Sequence, residues 1–163
     1  MRAVNTDARY LSEPGPMGLF TRLTRVGLLL DGFQHRCLDT FDLKFIDYSV
    51  LRVLQLAGSP YQMTPGELSE IVLRSSGNMT QILDRLHRAG YVQRTADSSD
   101  RRKVVIALTS NGLQTAQKAS AAYARERKRI IKQLAPDDVA RVDAAVRLLL
   151  DVFTSDAEAA SRA

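Results

Sequence analysis

Residues 75–90 read SSGNMTQILDRLHRAG, and residues 91–112 continue YVQRTADSSDRRKVVIALTSNG. In the first stretch Met79, Ile82, Leu83 and Leu86 recur at the spacing that lines one side of a helix. Gly90 follows as the residue best able to take the left-handed conformation that ends it. In the second stretch the period changes. Residues 91–95 and 103–108 are rich in β-branched side chains and flank a polar loop, 96–102, which predicts a β-hairpin with a charged tip. Upstream, Thr64-Pro65-Gly66-Glu67 is a helix start: the threonine caps, proline takes the first helical position, and the glutamate can reach back to the cap N–H. A short helix follows with Leu68, Ile71 and Val72 inward, then a break at 74–77. A further helix near 47–57 carries Val50, Leu51, Val53 and Leu54 and stops before Gly58-Ser59-Pro60.

Towards the ends the pattern becomes long and helical. Leu19, Leu23, Val26, Leu30, Phe33 and Cys37 are spaced alternately four and three apart, a narrow seam of the kind that packs on another helix. Thr109-Ser110-Asn111 offers caps for a long helix to about residue 134. Pro136-Asp137-Asp138 opens a last one whose Val139, Val142, Val146, Leu149 and Phe153 repeat the same seam. The fold class expected is mainly α with a small β-hairpin wing (α+β).

Composition narrows the function. The 163 residues are 45% hydrophobic and 25% charged, which suits one globular domain, or one with an appendage. No apolar run approaches the length of a membrane span, and the first sixteen residues lack a secretory apolar core, so a cytoplasmic protein with no membrane partner is expected. Cys37 is the single cysteine, which fits a reducing compartment. With it stand only His35 and His87, too few for a metal site. No glycine-rich phosphate loop or nucleophile–base pair appears either. No cofactor and no catalysis are expected. The net charge is +5, and most of it falls in residues 74–103, where Arg74, Arg85, Arg88, Arg94, Arg101, Arg102 and Lys103 face Asp84, Asp97 and Asp100. A basic excess points to a polyanion.

Two short helices joined tightly and followed by a hairpin make a winged helix-turn-helix. The B-DNA major groove admits one helix, which the preceding helix braces, while a basic hairpin tip can extend to the neighbouring minor groove. The outward face of the 75–90 helix presents Ser76, Asn78, Gln81 and Arg85. Asparagine and glutamine can pair with adenine, and arginine with guanine. Ser75, Ser76 and Gly77 leave backbone N–H groups free for a phosphate at the helix start. With Thr80, these are the expected DNA contacts of the helix. Asp84 and Arg88 stand at i,i+4 and suggest local pairing.

In residues 51–56 (LRVLQL), 64–68 (TPGEL), 75–90 and 97–112 the chain resembles the MarR family of bacterial transcriptional regulators. The specific features are DRL-x-x-x-G, then D-x-x-D-R-R, then L-T-x-x-G. The resemblance implies a ligand-responsive homodimeric repressor on a pseudo-palindromic double-stranded operator. It also implies that Arg101 enters the minor groove, that Arg102 or Lys103 meets phosphate, and that Asp97 and Asp100 brace the wing. On that basis the chain divides into an arm (1–16), an N-terminal dimerisation helix (17–42), a winged helix-turn-helix lobe (43–109), C-terminal dimerisation helices (110–155) and a tail (156–163). An effector pocket bordered by Arg22, His35, Arg36 and Tyr48, taking a small aromatic acid, is implied in the same way. Cys37, beside His35 and Arg36, raises redox sensing, but a lone cysteine on an apolar stripe reads as packing. The competing reading is a winged helix used for protein–protein contact, for which the polar outward face is ill suited.

Overall fold

The computed structural model describes residues 15–96, 100 and 103–161. The chain forms two units, Met1–Tyr123 and Ala124–Ala163. The first holds helix α1 (Gly15–Leu38), a 3₁₀ turn (Asp39–Phe41), α2 (Phe45–Leu56), strand β1 (Gln62–Met63), α3 (Pro65–Ile71), α4 (Ser76–Arg88), β2 (Val92–Ala96) and β3 (Val104–Leu108). Helix α5 (Ser110–Ile131) contains the boundary between the units, and α6 (Pro136–Ser161) lies in the second.

Local rules account for most of the element ends. Thr64 and Glu67 form the expected capping box: the Glu67 N–H donates to Thr64 Oγ1 at 3.3 Å, and the Thr64 N–H donates to Glu67 Oε2 at 2.7 Å. Gly90 closes α4 at φ 72°, where a side chain would be strained. Between α3 and α4 the chain turns on Leu73 at φ 51°, and the Arg74 N–H donates back to the Ser69 carbonyl at 3.0 Å.

The hairpin forms where expected, with Val92 opposite Leu108 and Ala96 opposite Val104. One strand was not foreseen. β1 adds to the other edge of β3, Met63 opposite Ile106, giving the order β1-β3-β2 with both pairings antiparallel. Two residues are too few to show an alternating pattern, so tertiary pairing alone reveals it.

Leu38, Val50, Leu51, Leu54, Leu68, Met79, Leu83, Leu86 and Ile106 are fully buried and form the centre of one core. Phe33, Phe45, Tyr48 and Tyr123 cluster beside it with ring centroids 5.6–6.0 Å apart, and Tyr48 donates its hydroxyl hydrogen to Ser120 Oγ at 3.3 Å. The first-helix seam is buried only at its end, at Cys37, with Phe33 half-buried. Val26 and Leu30 stay exposed.

Three boundaries differ from the sequence reading. Helix α1 already includes Gly15 and Pro16, both assigned to the arm, because proline is favoured in a first turn; the remainder of the arm lies outside the described residues. Helix α5 ends at Ile131 rather than near 134. Helix α6 continues through the expected tail to Ser161, since Ala157, Glu158, Ala159 and Ala160 are strong helix formers.

The L-T-x-x-G motif has a packing explanation. The Thr109 N–H donates to the Tyr91 carbonyl at 3.1 Å, and Thr109 Oγ1 donates to the Gly90 carbonyl at 2.7 Å while accepting from the Gly112 N–H at 2.9 Å. Gly112 lies so close that a β-carbon there would sit 1.9 Å from the Tyr91 carbonyl oxygen. Backbone would have to move to admit it. Gly112→Ala should therefore destabilise the fold by about 1–3 kcal/mol, the usual cost of overpacking, read as a lower urea midpoint at fixed protein concentration. An unchanged midpoint would show that the contact relaxes freely.

Candidate nucleic-acid interface

Helix α4 owes its orientation to its buried face. Met79, Ile82, Leu83 and Leu86 are in the core, which turns Ser76, Gly77, Asn78, Thr80 and Gln81 outward, all exposed. Ser75 is the N-cap residue and makes no side-chain capping bond. Thr80 Oγ1 donates to the Ser76 carbonyl at 3.1 Å, which leaves its lone pairs available. These six residues form one polar surface at the N-terminal half of the helix, where backbone N–H groups and the positive helix end favour an anion.

Arg85 does not belong to that surface as expected. Its guanidinium is taken by Asp47 of α2, with Nε donating to Oδ2 at 3.0 Å and to Oδ1 at 3.2 Å, and Nη2 also donating to Oδ1. Asp47 is only 3% exposed, so its carboxylate must have a cation, while the Arg85 side chain is 37% exposed. The bonded carboxylate pushes the Arg85 pKa further up against the opposing effect of burial. A planar bidentate pair of this kind fixes geometry as well as charge. Arg85 thus pins α4 to α2. The clue was available: Asp47 shares the helical register of the apolar Val50, Leu51 and Leu54.

Asp84 also finds a different partner. Its carboxylate accepts from Arg94 Nη2 of β2 at 2.6 Å, and Arg88 donates to the Asp84 backbone carbonyl instead, at 3.3 Å. The helix and the wing strand are linked by this exposed pair. At the wing, Lys103 is exposed and its N–H donates to the Asp100 carbonyl at 2.9 Å. Asp97, Arg101 and Arg102, the other expected wing residues, lie outside the described residues.

Of the expected pocket residues, His35 lines an open groove of ≈ 650 Å³ between α1, α2 and α3. That groove has apolar walls at Phe45, Ile46 and Val53, with Lys44 and Arg74, and the opposite charge of Asp31, beside them. Tyr48 does not line this groove. It is 6% exposed and sits in the aromatic cluster, drawn in because its ring is largely apolar while Ser120 satisfies its hydroxyl. Arg22 and Arg36 are exposed on α1 and do not line this groove. Among the described residues no three His, Cys, Asp or Glu side chains gather where a metal could be held, and no helix is long and apolar enough to cross a membrane. Cys37 is buried.

Comparison with known proteins agrees with this geometry. Residues 41–103 match the model of the MarR family. PapX, an HTH-type transcriptional regulator of Escherichia coli, is 30% identical over 123 residues, 74% of this chain and 75% of that protein. The chain belongs to the MarR family. PecS, an HTH-type transcriptional regulator of Dickeya dadantii, is 32% identical over 97 residues, covering 60% of this chain and 58% of PecS; the match thus spans little more than half of that relative. Among solved structures, a cysteine-to-serine variant of E. coli MarR complexed with operator DNA superposes with a TM-score of 0.72 at 25% identity, covering 81% of this chain and 93% of that one. This MarR-family protein is mainly helical with a small antiparallel sheet, the architecture of its solved relatives.

Two bonds give predictions, one behind α4 and one at the start of α3. Arg85→Ala leaves a buried carboxylate without its cation and should cost about 3 kcal/mol, whereas Asp47→Asn, which keeps an acceptor and frees an arginine that can reach water, should cost less. Urea titrations of both variants test the order, and equal losses would contradict it. Separately, the Thr64 backbone N–H and hydroxyl, hydrogen-bonded to its carboxylate, hold Glu67 below the ordinary glutamate pKa. Its stabilising effect is therefore present above the unfolded value of 4.5 and is lost as the pH falls through the lower folded value. The stability gap between the protein and Glu67→Ala should narrow over that acidic range. A gap independent of pH would remove the carboxylate from the cap.

Proposed function

We propose that the protein is a homodimeric, sequence-specific double-stranded-DNA-binding transcriptional regulator that represses from a pseudo-palindromic operator and is released by a small effector. The observation that carries this reading is the exposed polar face of α4, with Asn78 and Gln81 facing solvent on a helix whose opposite side is core. The E. coli MarR complex, in which that protein is bound to operator DNA, supports DNA as the partner here. Asn78 and Gln81 read base edges; Ser75, Ser76 and Gly77 meet phosphate at the helix start, with Thr80 beside them. On the wing, Arg101 enters the minor groove while Arg102 or Lys103 meets phosphate. Two copies would present their helices to half-sites about 34 Å apart.

Dimerisation is supported by apolar side chains left uncovered in one chain. Leu28, Leu29 and Leu30 of α1 are 46–66% exposed, and Val142, Val146, Leu148 and Val152 of α6 are exposed likewise, more than a lone subunit keeps without a partner. The groove beside His35 suits the effector. Its apolar walls take a ring, and Lys44 and Arg74 take a carboxylate, which is the chemistry of a small aromatic acid. Such a ligand shifts DNA affinity only by its differential affinity for the two conformations. A regulator of this kind works where the chromosome is, in the cytoplasm.

Selection from random duplexes should return a two-fold symmetric site, and Gln81→Ala should lower affinity by about 1–3 kcal/mol with relaxed preference at one base pair of each half-site. Equal binding of Gln81→Ala and the parent protein to all sequences would overturn readout by α4.

A further inference from the structure

The second unit carries charge that the helix-turn-helix does not use. Arg125, Arg127, Lys128 and Arg129 stand near the end of α5, and Lys132 follows its last residue with its N–H still donating to the Lys128 carbonyl at 3.1 Å; together they span about two turns, with Glu126 as the acidic residue among them. At the helical repeat, Arg125, Lys128, Arg129 and Lys132 share a wedge about 100° wide, and all four are exposed. Arg129 Nε donates to Glu126 at 2.8 Å. Arg125, Lys128 and Lys132 have no ion pair among the described residues. Helix α6 is arranged differently: Arg141 pairs with Asp138, and Arg147 donates to Asp143 at 2.7 Å.

That contrast has a cost. Arg125 with Arg129, and Lys128 with Lys132, are like charges at i,i+4, while Arg125 with Lys128 and Arg129 with Lys132 are like charges at i,i+3; each arrangement works against the helix. A face that met only water would be better served by the alternating signs of α6. An anion of regular spacing removes the repulsion. Four cations spread over roughly 10 Å of helix rise match a strand that carries a phosphate about every 3.4 Å of duplex axis. A second copy's α6 fits less well, because its acidic residues alternate with arginines and two of them, Asp138 and Asp143, already serve arginines of their own helix.

We propose that this stripe is a second, sequence-independent contact to DNA phosphate, separate from the α4 face. It rests on the reading that the protein meets DNA but not on base recognition by α4. The test is the salt dependence of binding to an operator and to a random duplex, for the full chain and for a variant carrying Arg125→Gln, Lys128→Gln, Arg129→Gln and Lys132→Gln. Glutamine keeps the helix propensity. The slope of log affinity against log salt should fall by about 0.9 for each phosphate released, equally on both duplexes, with the ratio of the two affinities unchanged. Arg125→Lys with Arg129→Lys should keep the parent slope. An unchanged slope in the glutamine variant overturns the proposal, and so does a change in its oligomeric mass, which would make the stripe an interface between copies. Should the fourfold variant fail to fold by circular dichroism, Lys128→Gln with Lys132→Gln is judged by the same slopes. Capture of a second, differently labelled duplex places the contact on separate DNA, and a slope change without capture places it on the flank of the same site; both support the proposal. If α4 does not read sequence, the parent protein loses its operator preference while the slope comparison on random DNA still stands.

Discussion

A carboxylate withdrawn from water needs a cation against it, and in this lobe that requirement decides where the outward-facing helix points. Asp47 lies in the apolar register of α2 among Val50, Leu51 and Leu54 and is closed over by the core. Arg85 answers it from α4, thirty-eight residues further along the chain. The pair is bidentate, so it limits rotation of α4 about its axis as well as its distance from α2. Hydrophobic contacts from Met79, Ile82, Leu83 and Leu86 are not directional. They bury the right side of the helix but leave its angle loosely set, and the ion pair supplies what they lack.

The polar surface of α4 follows from that placement. Asn78 and Gln81 present their amides to solvent on a helix held at two further points, by Asp47 through Arg85 and by Arg94 through Asp84. The second link is exposed and contributes little stability. Its effect is positional, since it ties the helix to the first strand of the wing. Ser76 and Gly77, at the start of the helix, are exposed on the same element as the two amides.

The elements legible in the sequence were those whose cause lies within a few residues. The Thr64–Glu67 cap, Gly90 and the Thr109 start are all local chemistry, and each appears where the residues placed it. The helical period of Met79 to Leu86 likewise told which side of α4 is buried. Long-range causes were not legible. Arg85 looked like a base reader because its partner is remote in sequence, and the contacts of Tyr48 with Tyr123 and Ser120 were hidden for the same reason. β1 escaped notice because its reason for being extended is the unpaired edge of β3, not its own two residues.

The carbonyl of Tyr91 ties the base of the hairpin to the first turn of α5: it accepts from the Thr109 N–H and leaves no room for a side chain on Gly112. Wing and helix accordingly behave like a handle welded to its shaft. A tug delivered to the hairpin is not absorbed by a slack joint but swings the start of α5 with it, and with it the aromatic packing of Tyr123 further along the same rod.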